Sequence, residues 1–218
     1  MKVIGVVRSI CERTEDFARH LLEKQVSDVK IIKNITPLKK SLIEYLKLGV
    51  DYDYLVINDA DVFIKPGCVD LMLKKINNSP LITAHTISKF FGKRQGGIRI
   101  FNTKYAQEMI KYLESYDNIR PEGSLHLKFN GSLINDVTSI HEYEQNYKDV
   151  YLRFIKHWSK SKQYKRKIDE FKNSSDLDLI VAYHGFYDKV KDFQKSFPDL
   201  KEKEEILDFQ ELIDKYKL

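Results

Sequence analysis

Two aspartates two residues apart, Asp59 and Asp61, close a short apolar run, Tyr54 to Ile57, within Asp53-Tyr-Leu-Val-Ile-Asn-Asp-Ala-Asp-Val-Phe-Ile64. In extended backbone that spacing turns both carboxylates the same way. The run before them is short, aliphatic and β-branched, as in a strand buried on both faces of a parallel sheet. Open α/β sheets bind ligands beyond the carboxyl ends of their strands. The pair is therefore expected where a divalent cation and a phosphorylated ligand meet, the ion offsetting the charge of a diphosphate. Aspartate also favours turns for its own hydrogen-bonding reasons, so the triplet alone says little and its position after a buried strand carries the reading. Lys65-Pro66-Gly67 turns the chain away, and Val69, Met72, Leu73 and Ile76 follow at helical spacing.

Other residues bear on the same chemistry. Lys2 to Val7 reads as a first strand, which places Arg8 and Ser9 at its carboxyl end beside the acidic turn. Arg8 then offers a fixed positive charge to a phosphate, or else pairs with a surface acid such as Glu12. Lys39 and Lys40 lie in the first turns of a helix, where cations oppose the helix dipole; they are either solvated or kept for an anionic ligand. Gly96-Gly97 permits close approach of the backbone to a ligand, or makes an ordinary turn. Glu122 is the prominent carboxylate of a loop, Ile119-Arg-Pro-Glu-Gly123, and His141 stands where the stretch Leu133 to Ile140 returns to the sheet. His85, His126 and His157 are alternatives to it, or core and surface histidines.

The elements that must position these groups alternate. Thr14 caps a helix carrying Phe17, Ala18, Leu21 and Leu22; Val29 to Ile32 is a strand; Thr36-Pro37 caps a helix that stops at Gly49. Leu81 to Thr86 is a strand, Lys89 to Gln95 a basic loop, Ile98 to Phe101 a strand, and Thr103 caps a further helix. This order predicts a Rossmann-like α/β fold, a mostly parallel sheet flanked by helices. From Glu142 the character changes: Tyr147 to Trp158 reads as a long aromatic helix running into a basic segment, Lys156 to Lys167. Leu177 to Phe193 and Glu204 to Tyr216 read as helices. The expected division is a ligand-binding domain over 1–150 and a helical extension over 151–218. The aromatic stripe packs a core, or with the basic segment rests on anionic lipid head groups through residues 147–167.

Composition narrows the class. With 42% apolar residues the chain can bury a core, and 37 basic against 32 acidic residues tolerate an anionic ligand without demanding nucleic acid. No run approaches the ~18 apolar residues of a membrane span, and the N-terminus patterns as a strand rather than a leader. A cytoplasmic protein is expected, with any contact at the inner membrane surface peripheral. Cys11 and Cys68 lack metal-ligand spacing and imply no disulfide framework.

Taken together, residues 1–158 resemble the GT-A-fold glycosyltransferases, the nucleotide-sugar-dependent kind with a D-x-D motif. The resemblance rests on Val3 to Val7, the helix from Thr36 to Gly49 leading into Tyr54 to Ile64 with Lys65-Pro-Gly67, Gly96-Gly97-Ile98-Arg99, Arg120-Pro121-Glu122 and His141-Glu-Tyr-Glu-Gln145. It implies that Asp59 and Asp61 bind Mn2+ or Mg2+ and the ribose or diphosphate of a nucleotide-sugar donor, that His141 completes the metal shell, and that Arg8, Ser9, Lys40 and Gly97 line the donor site. It also implies transfer to a hydroxyl of a glycan, lipid or protein acceptor. An inverting member needs a carboxylate base, for which Glu122 is the position, although the family's Glu-Asp pair is reduced here to Glu122 alone. A retaining member needs no dedicated base there. Rival readings are a nucleotidyltransferase, disfavoured because Arg8-Ser-Ile-Cys-Glu12 has no glycine to cradle a phosphate, and a non-catalytic nucleotide- or sugar-binding module whose basic tail docks to a membrane or an assembly partner.

Overall fold

Alternation along three adjacent strands decides which side chains meet. In a computed structural model describing residues 1–115, 120–158, 162–188, 192–203 and 206–218, the chain forms β1 (Val3–Ser9), α1 (Glu15–Glu23), β2 (Asp28–Lys33), α2 (Leu38–Leu48), β3 (Tyr54–Asp59), β4 (Val62–Ile64) and α3 (Cys68–Ile76). It continues through β5 (Leu81–Ser88), β6 (Gly92–Asn102), α4 (Ala106–Ser115), α5 (Pro121–Lys128) and β7 (Ser132–His141). Then come α6 (Tyr147–Arg153), α7 (Lys165–Asp169), α8 (Leu177–Tyr187), α9 (Phe193–Ser196) and α10 (Phe209–Tyr216). The chain divides into one unit of residues 1–143 and 207–218 and a second of residues 144–206.

In the first unit the α/β fold expected from the sequence is present, as a seven-stranded sheet in the order β2-β1-β3-β6-β5-β7-β4. β1 runs parallel to β2 and β3, and β5 parallel to β7; the pairings β3–β6, β5–β6 and β4–β7 are antiparallel. The sheet is thus mixed, and Asp59 lies in its parallel group β2-β1-β3. The antiparallel share has a local origin. The stretch Lys89 to Gln95, expected as a loop, is a tight hairpin in which Lys93, Arg94 and Gln95 already pair with Ile87, Thr86 and His85. Strands joined by so short a connection can only run antiparallel.

Side chains of odd and even parity go to opposite faces. On one face Ile4, Val6, Leu55, Ile57 and Phe101 pack with Leu42, Tyr45 and Leu46 of α2, Met109 and Leu113 of α4, and Leu125 of α5. On the other, Val7, Val56, Ile98 and Ile100 pack with Phe17, Leu21 and Leu22 of α1, Val69 and Met72 of α3, and Leu212 of α10. Phe209 of α10 stacks at 5.2 Å from Phe17 and Tyr216 at 6.0 Å from Phe63, so the tail helix is part of this core. Full burial of side chains of this size contributes roughly 1.5–3 kcal/mol each.

Several expected boundaries move. Thr14 precedes α1, yet its hydroxyl donates 2.8 Å to the Ala60 carbonyl rather than capping the helix, which ties α1 to the acidic turn. At α2 the N-cap is Pro37, not Thr36, and at the turn before α4 it is Asn102, whose side chain accepts from the Lys104 amide at 3.3 Å; the Thr103 hydroxyl instead donates to the Asp53 carbonyl. The expected loop around Glu122 is helix α5 with Pro121 in its first turn, where a missing N–H costs nothing; Ile119 lies outside the described residues. Gly96 and Gly97 make no ordinary turn: with φ of 120° and 94° they form a bulge inside β6, where Thr83 pairs with Arg99 while His85 pairs with Gln95.

The second unit is helical. The expected long aromatic helix is the shorter α6, followed by a π-helical turn over Phe154–Trp158. Val150, Tyr151, Phe154 and Ile155 are buried together with Ile168, Phe171, Val181 and Phe186, so these members of the stripe pack a core; the side chain of Trp158 lies outside those described. Lys165, Arg166 and Lys167 form an exposed basic face on α7. A Cβ on Gly185 would lie 2.5 Å from the Tyr151 carbonyl oxygen, which is why α8 carries glycine where it meets α6. The helix expected over Leu177 to Phe193 ends at Tyr187, and that expected from Glu204 begins at Phe209, residues 204 and 205 lying outside the described ones. No helix among the described residues is long and apolar enough to cross a membrane.

Candidate functional site

The parity that buries Ile4 and Val6 puts Arg8 on the same face, and that of Leu55 and Ile57 does the same for Asp59. Arg8 and Asp59 are also register partners across β1 and β3, and their side chains form an ion pair. Arg99 arrives by the same rule from β6, two residues before Phe101. Above them, the first turn of α5 lowers Glu122 onto both guanidiniums, 2.7 Å from Arg8 Nη1 and 3.2 Å from Arg99 Nη1. All four side chains are 20% exposed or less. Arg8 therefore pairs with Asp59 and Glu122, not with Glu12.

Two cations and two anions close this cluster electrically. Burial raises the Glu122 carboxyl, but Arg99 and Arg8 outweigh it and hold the group below the usual carboxylate range. Asp59 goes the other way: burial pushes it up, Arg8 pulls it down, and the Glu122 charge adds to the burial. Burial alone would lower Arg8, yet Asp59 and Glu122 raise it, so the guanidinium stays charged.

Asp61 has a different company. It sits in the two-residue turn between β3 and β4, 5% exposed, and its Oδ1 lies 3.1 Å from His141 Nε2. The two are brought together by the β4–β7 pairing, in which Val62 is opposite His141. The other ring nitrogen of His141 lies 3.9 Å from Glu142 Oε2. Glu12 is close enough for the Asp61 charge to add to the burial that raises its carboxyl, against hydrogen bonds from Ile10 and Ser9 that lower it.

The remaining expected positions are dispersed. Ser9 is committed to the β1–α1 loop: its oxygen lies 2.8 Å from Glu12 Oε2 and 2.5 Å from Glu15 Oε2 and accepts from the Cys11 amide at 2.8 Å. Lys40 is exposed on α2 and makes no hydrogen bond or ion pair with these clusters among the described residues. Gly97 approaches its own protein: a Cβ there would lie 3.2 Å from Val62 Cγ2 and 3.7 Å from Ser139 Oγ, so it lets β4 and β7 close over β6. The sequence patterns give Arg99 and Glu142 no role of their own; cross-strand and helix-to-sheet contacts reveal them.

Among the described residues no group of three or more His, Cys, Asp or Glu side chains is arranged to hold a metal ion. Of the expected metal ligands, Asp61 and His141 do stand together, carboxylate against imidazole at 3.1 Å, while Asp59 is turned to Arg8.

No protein-family model matches the chain, and no curated protein matches its sequence. Among solved structures it is similar to 4-diphosphocytidyl-2C-methyl-D-erythritol synthase from Anaerococcus prevotii DSM 20548, at 13% identity and a TM-score of 0.49, covering 65% of this chain and 90% of that one. It is similar to a glycosyltransferase involved in glycosylation of the major capsid of PBCV-1, at 9% identity and a TM-score of 0.44 over 65% and 93% of the two chains. Similarity to S. aureus TarS 1-349 in complex with UDP-GlcNAc covers 90% of this chain and 73% of that one, at 13% identity and a TM-score of 0.45. Likenesses of this degree carry no functional argument.

Proposed function

We propose that the chain is a transferase of the nucleotide-sugar kind, a metal-dependent glycosyltransferase whose acceptor is a hydroxyl. The observation that carries this reading is the Asp61–His141 pair beside the Arg8–Asp59 pair, at the carboxyl ends of the adjacent parallel strands β3 and β1. Asp61 and His141 would hold Mn2+ or Mg2+, and Asp59 lies beside them for the donor's ribose or diphosphate. A divalent ion there supplies charge stabilisation to a departing nucleoside diphosphate. Arg8 adds a guanidinium that stays charged, preorganised by two carboxylates and so ready without rearrangement as negative charge develops.

Glu122 has another occupation than proton acceptor. A carboxylate held below its usual range by two guanidiniums is a weak base, and its work is to fix Arg8 and Arg99. The nucleotidyltransferase alternative meets an obstacle in the β1–α1 loop. There the amides that would cradle a phosphate are taken by the protein's own oxygens: Ile10 N–H by Glu12 Oε2 at 2.6 Å and Cys11 N–H by Ser9 Oγ at 2.8 Å.

The test is thermal stability against a panel of nucleoside diphosphates and nucleotide sugars, with and without Mn2+, on the wild type and Asp61→Ala. A ligand that binds only the folded chain raises the melting temperature. The expected result is an Mn2+-dependent rise with one nucleotide that disappears in Asp61→Ala; a panel that leaves the wild type unmoved would sink the proposal.

A further inference from the structure

Glu142 stands directly after His141, and both its backbone and its side chain are costly to place. Its φ is 70°, in the left-handed region that non-glycine residues seldom occupy. Its side chain is 3% exposed, and a buried carboxylate is unfavourable unless partners hold it. Backbone strain of that sort persists only where the surroundings enforce it, and such residues cluster at functional sites. Here the surroundings are explicit. The Glu142 amide donates to the Asp61 carbonyl at 3.1 Å, the Ser88 hydroxyl donates to Glu142 Oε2, and Arg94 Nη1 lies 3.8 Å from Glu142 Oε1. What this fixed carboxylate faces is the imidazole: Oε2 is 3.9 Å from His141 Nδ1, while Nε2 of the same ring is 3.1 Å from Asp61 Oδ1.

We propose that Glu142 is a positioning residue for His141, holding the Nδ1 side of the ring so that Nε2 is presented beside Asp61 to a divalent cation. The inference rests on the metal-binding reading above. At 3.9 Å the hold is electrostatic rather than a formed hydrogen bond. Which ring nitrogen meets a metal is set by what the other one faces, and a carboxylate behind the imidazole also makes it a better donor. Ser88 and Arg94 serve the carboxylate, not the ring: with Oε2 and Oε1 each engaged, Glu142 cannot swing away from His141.

The experiment is a titration of the full chain with Mn2+ alone, followed by the electron-spin signal of the free ion, on the wild type, Asp61→Ala and Glu142→Gln. Glutamine keeps the shape and can still accept from Ser88 while removing the charge. Expected are binding by the wild type, loss in Asp61→Ala, and about 10–100-fold weaker affinity in Glu142→Gln at an unchanged melting temperature. Wild-type affinity in Glu142→Gln overturns the positioning role and leaves the metal site standing. Absence of Mn2+ binding by the wild type overturns the metal reading, and this inference with it. Should Glu142→Gln fail to fold, Glu142→Asp, which keeps the charge but shortens the reach, is read the same way: weakened binding supports the role and wild-type affinity overturns it.

Discussion

Asp59 and Asp61 are two residues apart and inhabit different electrostatic worlds. Asp59 belongs to a closed account of charge, Arg8 and Arg99 against Asp59 and Glu122 on the α2–α5 side of the sheet. Asp61 keeps other company: His141 at 3.1 Å, Glu142 behind the ring, and Glu12 near enough to feel its charge. The first arrangement sets buried charges of opposite sign against each other. The second sets an imidazole between two carboxylates, the grouping on which the proposed metal site rests. A D-x-D triplet is thus not a pair of equivalent side chains here: one aspartate anchors an arginine and the other faces a histidine.

That contrast is open to attack at several points. The largest effect is expected from Arg8→Ala, which strands two buried carboxylates at once; such a break costs about 3–5 kcal/mol, read from urea unfolding. A loss under about 1 kcal/mol would mean that the cluster is solvated and not closed. Asp61→Asn should cost less, about 1–3 kcal/mol at most, since one hydrogen-bonding group remains to face His141, while abolishing any Mn2+-dependent rise in melting temperature. Equal destabilisation by the two variants would erase the distinction between the clusters.

Acid unfolding sharpens it further. The folded Glu122 carboxyl is depressed, so the stability it contributes is present above the unfolded carboxylate value and is lost as pH falls through its depressed folded value. The folded Asp59 carboxyl is raised, so its charge works against folding near neutrality and that penalty is relieved as pH falls through the raised value. Glu122→Gln should therefore flatten the most acidic limb of the stability profile, and Asp59→Asn should flatten the limb at higher pH. Identical profiles for the two variants would contradict opposite shifts. The smallest effect is expected from Lys40→Ala, an exposed site whose change stays within about 0.5 kcal/mol; a loss of nucleotide binding in that variant would draw α2 into the donor site.

Much of this was legible in the sequence, because it follows from parity. Ile4-Gly-Val6-Val-Arg8 and Leu55-Val-Ile57-Asn-Asp59 declare which face each charged residue must take once the apolar positions are assigned to a core. What lay beyond reach is contact between residues far apart in sequence. Nothing local to Arg120-Pro-Glu-Gly123 distinguishes a loop from a helix start, and the helix is held by guanidiniums from β1 and β6. Thr14 has the makings of an N-cap, and only the neighbouring turn at Ala60 explains where its hydroxyl goes. Lys93-Arg94-Gln95 carries the composition of a loop, and its strand geometry comes from the pairing with β5.

The bulge at Gly96 and Gly97 has a consequence for how this chain can change by deletion. Between the pairs Thr83–Arg99 and His85–Gln95, β6 spends two more residues than β5. An even excess leaves the in-and-out order of the strand intact, so loss of both glycines would flatten the bulge yet keep Arg94 on its present side. Loss of one would turn Lys93, Arg94 and Gln95 over, carrying Arg94 away from Glu142. Descendants of this sequence should therefore shed these glycines together or not at all.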